Sequence, residues 1–303
     1  ASCIISDQNL EEELEVPFYF FNNLEEKIAE ILYKFYGLKE DNFIFHGVTG
    51  TNGKTTTAFM AHNIIRELNR SSIYIGTLGA IINDSPFKTK GNTTPGIFEI
   101  FEILKACNSK EDIYVFLEIS SHALVQKRLC NLLFNQTIIL NIQSDHLDYH
   151  QTYENYIDSK LSITKLNNKN PTIIFIDHMR HLIESLSPDQ KKQISASKHL
   201  SSKDTSALFN YSFEYNPEEC SKINLNFPNL VLEINVSLFL QFNIDNYIAA
   251  LALISDSVSS NDINFINKSS IKLPQGRGEI LRSKKGKIMI DFAHDHRSFK
   301  NIL

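Results

Sequence analysis

Residues 43–57 read FIFHGVTGTNGKTTT, and the reading of this stretch decides the fold. Phe43, Ile44, Phe45 and Val48 form an apolar run suited to a buried strand. Gly47, Gly50 and Gly53 then permit a tight loop whose backbone N–H groups can point inward at a polyanion. From Lys54 onward the spacing of Ala58, Met60, Ala61, Ile64, Ile65 and Leu68 predicts a helix whose positive N-terminal end faces the same spot. Strand, glycine loop and helix in that order make a phosphate cradle. Lys54 is placed for the β- and γ-phosphates, and the Thr55 hydroxyl for Mg²⁺. The general pattern has a glycine five positions before Gly53, where this chain has Val48, so the loop is a variant form. Glycines that merely turn a strand into a helix are the plainer alternative; the GKT triplet in its strand-to-helix setting argues against it.

Working outward, strand and helix keep alternating, which predicts an α/β fold with a central, doubly wound, mostly parallel sheet. Downstream, residues 73–76 read as a strand, 83–94 as a loop, and the residues after Pro95 as a helix. Residues 113–119 and 137–142 read as strands, 153–166 as a helix, and 172–176 as a strand. Residues 198–228 are polar and receive no assignment, whereas 230–240 alternate like a hairpin or sheet edge. In QFNIDNYIAALALI, Asn243 is expected just before an apolar helix. Residues 271–276, with Pro274 and Gly276, read as a linker, residues 277–292 as two strands around a KKGK turn, and 297–303 as the start of a helix. Upstream of the loop, residues 3–5 and 16–20 read as short strands and 24–36 as a helix closed by Gly37.

A chain of 303 residues exceeds the common size for one core, so two or more domains are expected. No apolar run approaches the ~20 residues that span a bilayer, and the first residues lack the basic and apolar regions of a secretory signal. A soluble, cytoplasmic protein is the expectation. The net charge of −5, with no basic stripe, argues against a nucleic-acid partner and leaves small anions. Cys3, Cys107, Cys130 and Cys220 form no CxxC pair and read as reduced thiols.

Acidic and imidazole groups collect where the strands stop, which in a doubly wound sheet is the binding crevice, so Thr49, Glu118 and Asp145 are expected to converge there. Glu118 closes an apolar strand and would be costly to bury unpaired, so a metal or a cation is its expected partner, with a surface carboxylate the alternative. Asp145, His146, Asp148, Tyr149 and His150 suit either a metal or acid/base chemistry. Lys160 reads as a solvated charge. Asp291 to His294 close a strand where a ligand could be held between domains, and His122 is equally a core histidine.

The segments GVTGTNGKTTT, NTTP (residues 92–95), LEISSHALVQKRL, NIQSDHLDYH with Lys160, QFNIDNYIAA, GRGE and DFAH resemble, in order and spacing, the Mur ligases, over roughly residues 13–303. Within that family they are most similar to the branch that adds the third residue of the peptidoglycan stem. The resemblance implies three domains: residues 1–41 as the tail of a UDP-binding domain, 42–273 as the central ATP-binding domain, and 274–303 as the start of a Rossmann-like domain. It implies an ATP-dependent ligase that phosphorylates the carboxylate of UDP-N-acetylmuramoyl-L-Ala-D-Glu to an acyl phosphate. The amine of meso-diaminopimelate or L-lysine then attacks it to form the amide.

Carried over residue by residue, the resemblance places the triphosphate on Gly50, Thr51, Asn52, Gly53, Lys54, Thr55 and Thr56. It puts one Mg²⁺ on Thr55 and Glu118 and a second on His146, aided by Lys160 as a carbamate, with Lys54, His146 and Lys160 the catalytic set. Asn243 matches an adenine contact, and Arg277, Asp291 and His294 match nucleotide-side positions at the domain junction. Asn92, Thr93, Thr94, Ser120, Gln126 and Arg128 match the positions that hold the UDP-muramoyl-dipeptide. A monomer is the expectation, with nothing in the sequence that specifies the oligomeric state. Ser144 replaces an arginine common before DHLDYH, and Asp295 and His296 depart from the pattern after DFAH. The family's motif for the incoming amino acid falls outside the sequence, so the added residue is not specified. A folate-glutamate ligase and a nucleotide-binding module without ligase activity are the competing readings.

Overall fold

The computed structural model describes residues 3–9, 15–107, 109, 111–167, 170–216, 220–238, 240–266, 271–283, 286–293 and 299. Its centre is an eleven-stranded sheet. From one edge to the other the strands are Leu230–Val236, Ser221–Phe227, Phe209–Glu214, Lys198–Ser201, Ile173–Phe175, Gln136–Ile139, Phe43–Thr49, Ile113–Glu118, Ser71–Gly76, Gly79–Ile82 and Ser85–Phe87. The stretch from Phe209–Glu214 to Ser71–Gly76 is parallel, and the two strands added at each edge are antiparallel. This is the mixed, mostly parallel α/β sheet expected.

The Phe43–Thr49 strand lies at the heart of the sheet, paired with Ile113–Glu118 on one side and Gln136–Ile139 on the other. It is buried on both faces, which is why its sequence is a nearly continuous apolar run rather than an alternation. Phe43 and Phe45 face a layer that includes the helices Leu24–Tyr36 and Ile97–Ala106, with Tyr33 edge-on to Phe101 at 4.7 Å. Val48 faces the opposite layer, where the helices Lys54–Glu67 and Gln241–Ile254 pack on the sheet. The sequence turns from strand to helix at Gly53, whose φ of +88° is the left-handed conformation that glycine adopts without strain.

Several local expectations need correction. Residues 83–94 are not all loop: Asn83, at φ +55°, turns the chain into the edge strand Ser85–Phe87. The unassigned stretch 198–228 supplies three sheet strands. In Ser221–Phe227 alternate residues are buried, a period of two that the abundant Asn and Lys disguised. The helix Gln241–Ile254 begins before Asn243 and contains it. Residues 153–166 divide into the α-helix Tyr153–Leu161 and the 3₁₀ turn Ser162–Leu166.

Apart from the large sheet, Ile4–Ser6 and Phe18–Phe20 form a parallel pair, and Arg277–Ser283 and Gly286–Asp291 a hairpin. The Lys284–Lys285 turn and the helix expected over residues 297–303 lie outside the described residues, Phe299 excepted. No helix among the described residues is long and apolar enough to cross a membrane.

Candidate active site

The parallel strands Phe43–Thr49, Ile113–Glu118 and Gln136–Ile139 stop side by side, and their C-terminal residues form the site. The loop after Phe43–Thr49 is clamped from the neighbouring strand end. Thr51 N–H donates to Asn141 O at 3.0 Å, Asn52 N–H to Asn141 Oδ1 at 3.0 Å, and the Asn141 amide returns a bond to Asn52 O at 3.1 Å. Thr51 Oγ1 bonds Gln143 O at 3.1 Å and meets Tyr156 Oη at 2.9 Å. The N–H groups of Thr51 and Asn52 are therefore spent on the protein. The donors left to a polyanion are those of the first turn of Lys54–Glu67, whose N-cap Gly53 offers no side-chain acceptor.

Gly50 and Gly53 keep this loop open. A Cβ on Gly53 would stand 2.5 Å from Asn246 Oδ1, and one on Gly50 3.1 Å from Leu140 Cβ. Gly47 is different: it lies inside the strand, where a Cβ would meet Ile119 Cδ1 at 2.7 Å. It is a packing glycine and no part of the cradle, contrary to its reading from sequence.

Two ammonium groups share one carbonyl. Lys54 Nζ donates to Gly50 O at 2.9 Å and Thr51 O at 3.0 Å, and Lys160 Nζ donates to the same Gly50 O at 2.9 Å. Lys160 is 1% exposed, so the solvated charge expected of it is wrong: the helix Tyr153–Leu161 carries it under the loop, above the Tyr156 ring. Burial, then the neighbouring Lys54 charge, pushes its pKa well below the lysine range, with Asp145 opposing. Burial also lowers Lys54, against which Glu118 and Asp145 act.

Glu118 is fully buried, and the side chains and backbone that hydrogen-bond it are neutral donors. Thr55 Oγ1 donates to Oε2 at 2.9 Å, Thr77 donates through its N–H at 2.9 Å and its hydroxyl at 3.1 Å, and the Tyr74 hydroxyl bonds Oε1. Burial and the Glu118 charge push the Tyr74 phenol upward, so it stays a donor. Hydrogen bonds run on from this carboxylate. Thr94 Oγ1 donates to Glu118 O at 2.8 Å and accepts from Ser120 N–H at 2.9 Å, while Arg128 Nη1 donates to Thr94 O at 2.9 Å. Arg128 Nε also bonds Gln126 Oε1 at 2.8 Å, and Thr93 meets Thr77 at 3.3 Å. Asn92 is exposed beside them. His146, half exposed, lies 3.5 Å from Asp145 and packs edge-on against His122 at 5.0 Å. The Thr55–Glu118 pair offers two adjacent oxygens, a donor set that suits Mg²⁺ with its retained waters. Among the described residues no group of three His, Cys, Asp or Glu side chains is arranged as a metal site. An unmodified Lys160 ammonium adds no metal donor.

Beside the loop opens a cavity lined by Asn52, Gly53, Thr56, Asn141 and Gln143, by Phe175, His178, Phe242, Asp245 and Asn246, and by Arg277 and Asp291. Asn243 is not on its wall. It is 1% exposed, and a Cβ on Gly278 would stand 2.8 Å from its Nδ2. His294 lies outside the described residues.

A family model described as the Mur ligase middle domain matches residues 48–254. The chain belongs to the Mur ligase family. Among similar curated proteins, the UDP-N-acetylmuramoyl-L-alanyl-D-glutamate--2,6-diaminopimelate ligase of Buchnera aphidicola is 34% identical, over 95% of this chain and 57% of its own length. The ligase of the same name from Helicobacter pylori is 32% identical, over 84% of this chain and 58% of its own length. A solved structure of a UDP-N-acetylmuramoyl-L-alanyl-D-glutamate--2,6-diaminopimelate ligase superposes with a TM-score of 0.75 at 22% identity, covering 99% of this chain and 61% of that one. This Mur ligase chain thus spans less than two thirds of the length of each of these three relatives.

In this Mur ligase chain the residues missed by sequence reasoning are those that pair across distance. Tyr74 and Thr77 hold Glu118, and Asn141 clamps the loop; Phe175, His178, Phe242 and Asp245 wall the cavity. Asn246, on the same helix as Asn243, was legible as the second asparagine of NIDN, but only the helix phase says which one faces the cavity.

Proposed function

We propose that this chain is the nucleotide- and substrate-holding part of an ATP-dependent ligase that joins a diamino acid, meso-diaminopimelate or L-lysine, to UDP-N-acetylmuramoyl-L-Ala-D-Glu. Residues 42–273 are its central domain, flanked by parts of two others. The observation that carries the reading is the continuity at Glu118. The carboxylate bonds Thr55 at the head of the phosphate helix, and its backbone carbonyl bonds Thr94, on the path to Ser120 and Arg128. One strand end thereby ties the nucleotide side to the segment matching the muramoyl-dipeptide site.

In this reading the first-turn N–H groups and Lys54 take the triphosphate, Thr55 and Glu118 hold one Mg²⁺, and His146 with a carbamylated Lys160 holds the other. Bound Mg²⁺ would lower the repulsion between the γ-phosphate and the substrate carboxylate. Arg128 presents a planar fork suited to a carboxylate, and Lys54 leaves its loop carbonyls for the γ-phosphate. Burial, which lowers the Lys160 pKa, favours the neutral amine, the form that can add CO₂. The amide forms by way of an acyl phosphate, in the cytoplasm and in a monomer, without nucleic acid or membrane.

The test is ADP release by the longest natural form of the protein, given UDP-muramoyl-dipeptide and each diamino acid in turn, with folate and glutamate as the comparison. Turnover that needs the dipeptide and one diamino acid supports the reading. Turnover with folate alone overturns it, and ATP binding without turnover on any substrate favours a non-catalytic nucleotide module.

A further inference from the structure

Away from the phosphate loop, the cavity wall changes character. Asn246 touches the loop through the Gly53 position and takes a bond from Thr57 Oγ1 at 3.3 Å, so its carbonyl is committed there. Asp245, one residue earlier and thus ~100° round the helix, faces another way. Its carboxylate lies 3.4 Å from His178 Nε2 and is only partly exposed. His178 is fixed in turn. It follows the strand Ile173–Phe175 in a short 3₁₀ turn, packs tilted against the Phe175 ring at 4.3 Å, and is preceded by Asp177, which accepts from Ser201 Oγ at 2.6 Å and from Ser202 N–H and Oγ at 2.7 and 2.8 Å. Burial and the charges of Asp245 and Asp177 push the Tyr211 phenol upward, so it remains a proton donor toward the Asp245 carboxylate. Asp245 therefore stands, held by these partners, on the wall of a cavity that is also lined by the rings of Phe175, His178, Phe242 and Phe292.

A cavity lined by aromatic rings suits a planar heterocycle. A carboxylate at its edge is acceptor-only, and pairs with a group that carries N–H. We infer that Asp245, positioned by His178, accepts a hydrogen bond from the exocyclic amino group of the nucleotide base and makes this site select an aminopurine over a purine that lacks the amine. This rests on the nucleotide reading above and adds to it the residue that chooses the base. Selection of this kind is efficient because a site built to pair a polar group is left with a desolvated, unpaired partner when that group is missing.

The experiment is isothermal titration of the full chain, in Mg²⁺ buffer, with ATP and with purine riboside 5′-triphosphate, which differ only in the 6-amino group. Wild type should bind ATP about tenfold more tightly or better, the ratio expected of one hydrogen bond to a charged group. In Asp245→Leu the ratio should fall to about one, through weaker ATP binding alone. Asp245→Asn, which keeps one acceptor oxygen and tests the point should the leucine variant not fold, should give an intermediate ratio. A purely structural role would weaken both nucleotides together and leave the ratio intact. An unchanged ratio in a folded variant, or no preference in the wild type, overturns the inference while leaving the nucleotide site standing. Absence of binding by either nucleotide would instead overturn the nucleotide reading itself.

Discussion

In the phosphate loop, Lys54 lies four positions from the Gly50 carbonyl that it bonds, and a buried carboxylate on the next strand anchors the neighbouring Thr55. At the Asp245 end of the same cavity, the wall is assembled from the 173–178 segment, the 241–246 helix turn and the 277–293 hairpin, which lie far apart in the chain. The phosphate loop is thus local in sequence, though held by neighbouring elements, while the other end is built wholly from distant segments. Chemistry common to any triphosphate can be written into one short loop. Discrimination among bases needs several independent surfaces brought together.

The largest effect should come from the local end. Lys54→Ala is expected to lower ATP affinity at least ~100-fold in titration calorimetry, because the cradle loses its only loop cation; near-normal affinity would break the contrast by moving the anchor elsewhere. If the proposed ligase reading holds, Lys160→Ala in the longest natural form of the protein should cost turnover that a short carboxylic acid partly restores. Full turnover in that variant would remove the carbamate role.

Glu118→Ala should destabilise the fold by about 3 kcal/mol in urea denaturation, since it strands the buried hydroxyls of Tyr74 and Thr55 and the Thr77 N–H. A loss below about 1 kcal/mol would mean that water reaches the carboxylate.

Acid should act on the core beneath the loop strand. His46 and His62, each pushed down to about 4 by burial, sit against Phe116 and between Ser72 and Asn83. An unfolded histidine takes up its proton near pH 6.5, whereas these two remain neutral until about pH 4. Their contribution is complete above pH 6.5 and is lost as the pH falls toward 4, at about 1.4 kcal/mol per pH unit for each. His122 and His150, also lowered chiefly by burial, steepen the loss. His46→Phe should flatten the stability profile between pH 6.5 and 4 by the share of one histidine.

The smallest effect separates the two kinds of glycine. Gly47→Ala should cost roughly 1–3 kcal/mol of stability through overpacking against Ile119, with the ATP affinity of the folded fraction unchanged. Gly53→Ala, at positive φ and against Asn246, should lose affinity as well.

The chain's own order of residues determined the strand, glycine loop and helix over 43–67, the alternation that makes the sheet parallel, and the positions of Lys54, Thr55 and Glu118, because each is set by contacts within a few residues or by a run of one polarity. Only the tertiary structure decided that Lys160 is buried beneath Gly50, that Gly47 packs rather than cradles, that Glu118 meets Tyr74 and Thr77, and that Asn246 rather than Asn243 faces the cavity. Those outcomes depend on which elements lie side by side and on the phase of each helix. Neither is carried by local spacing, since a lysine on a helix reads as solvated until a loop more than a hundred residues away closes over it.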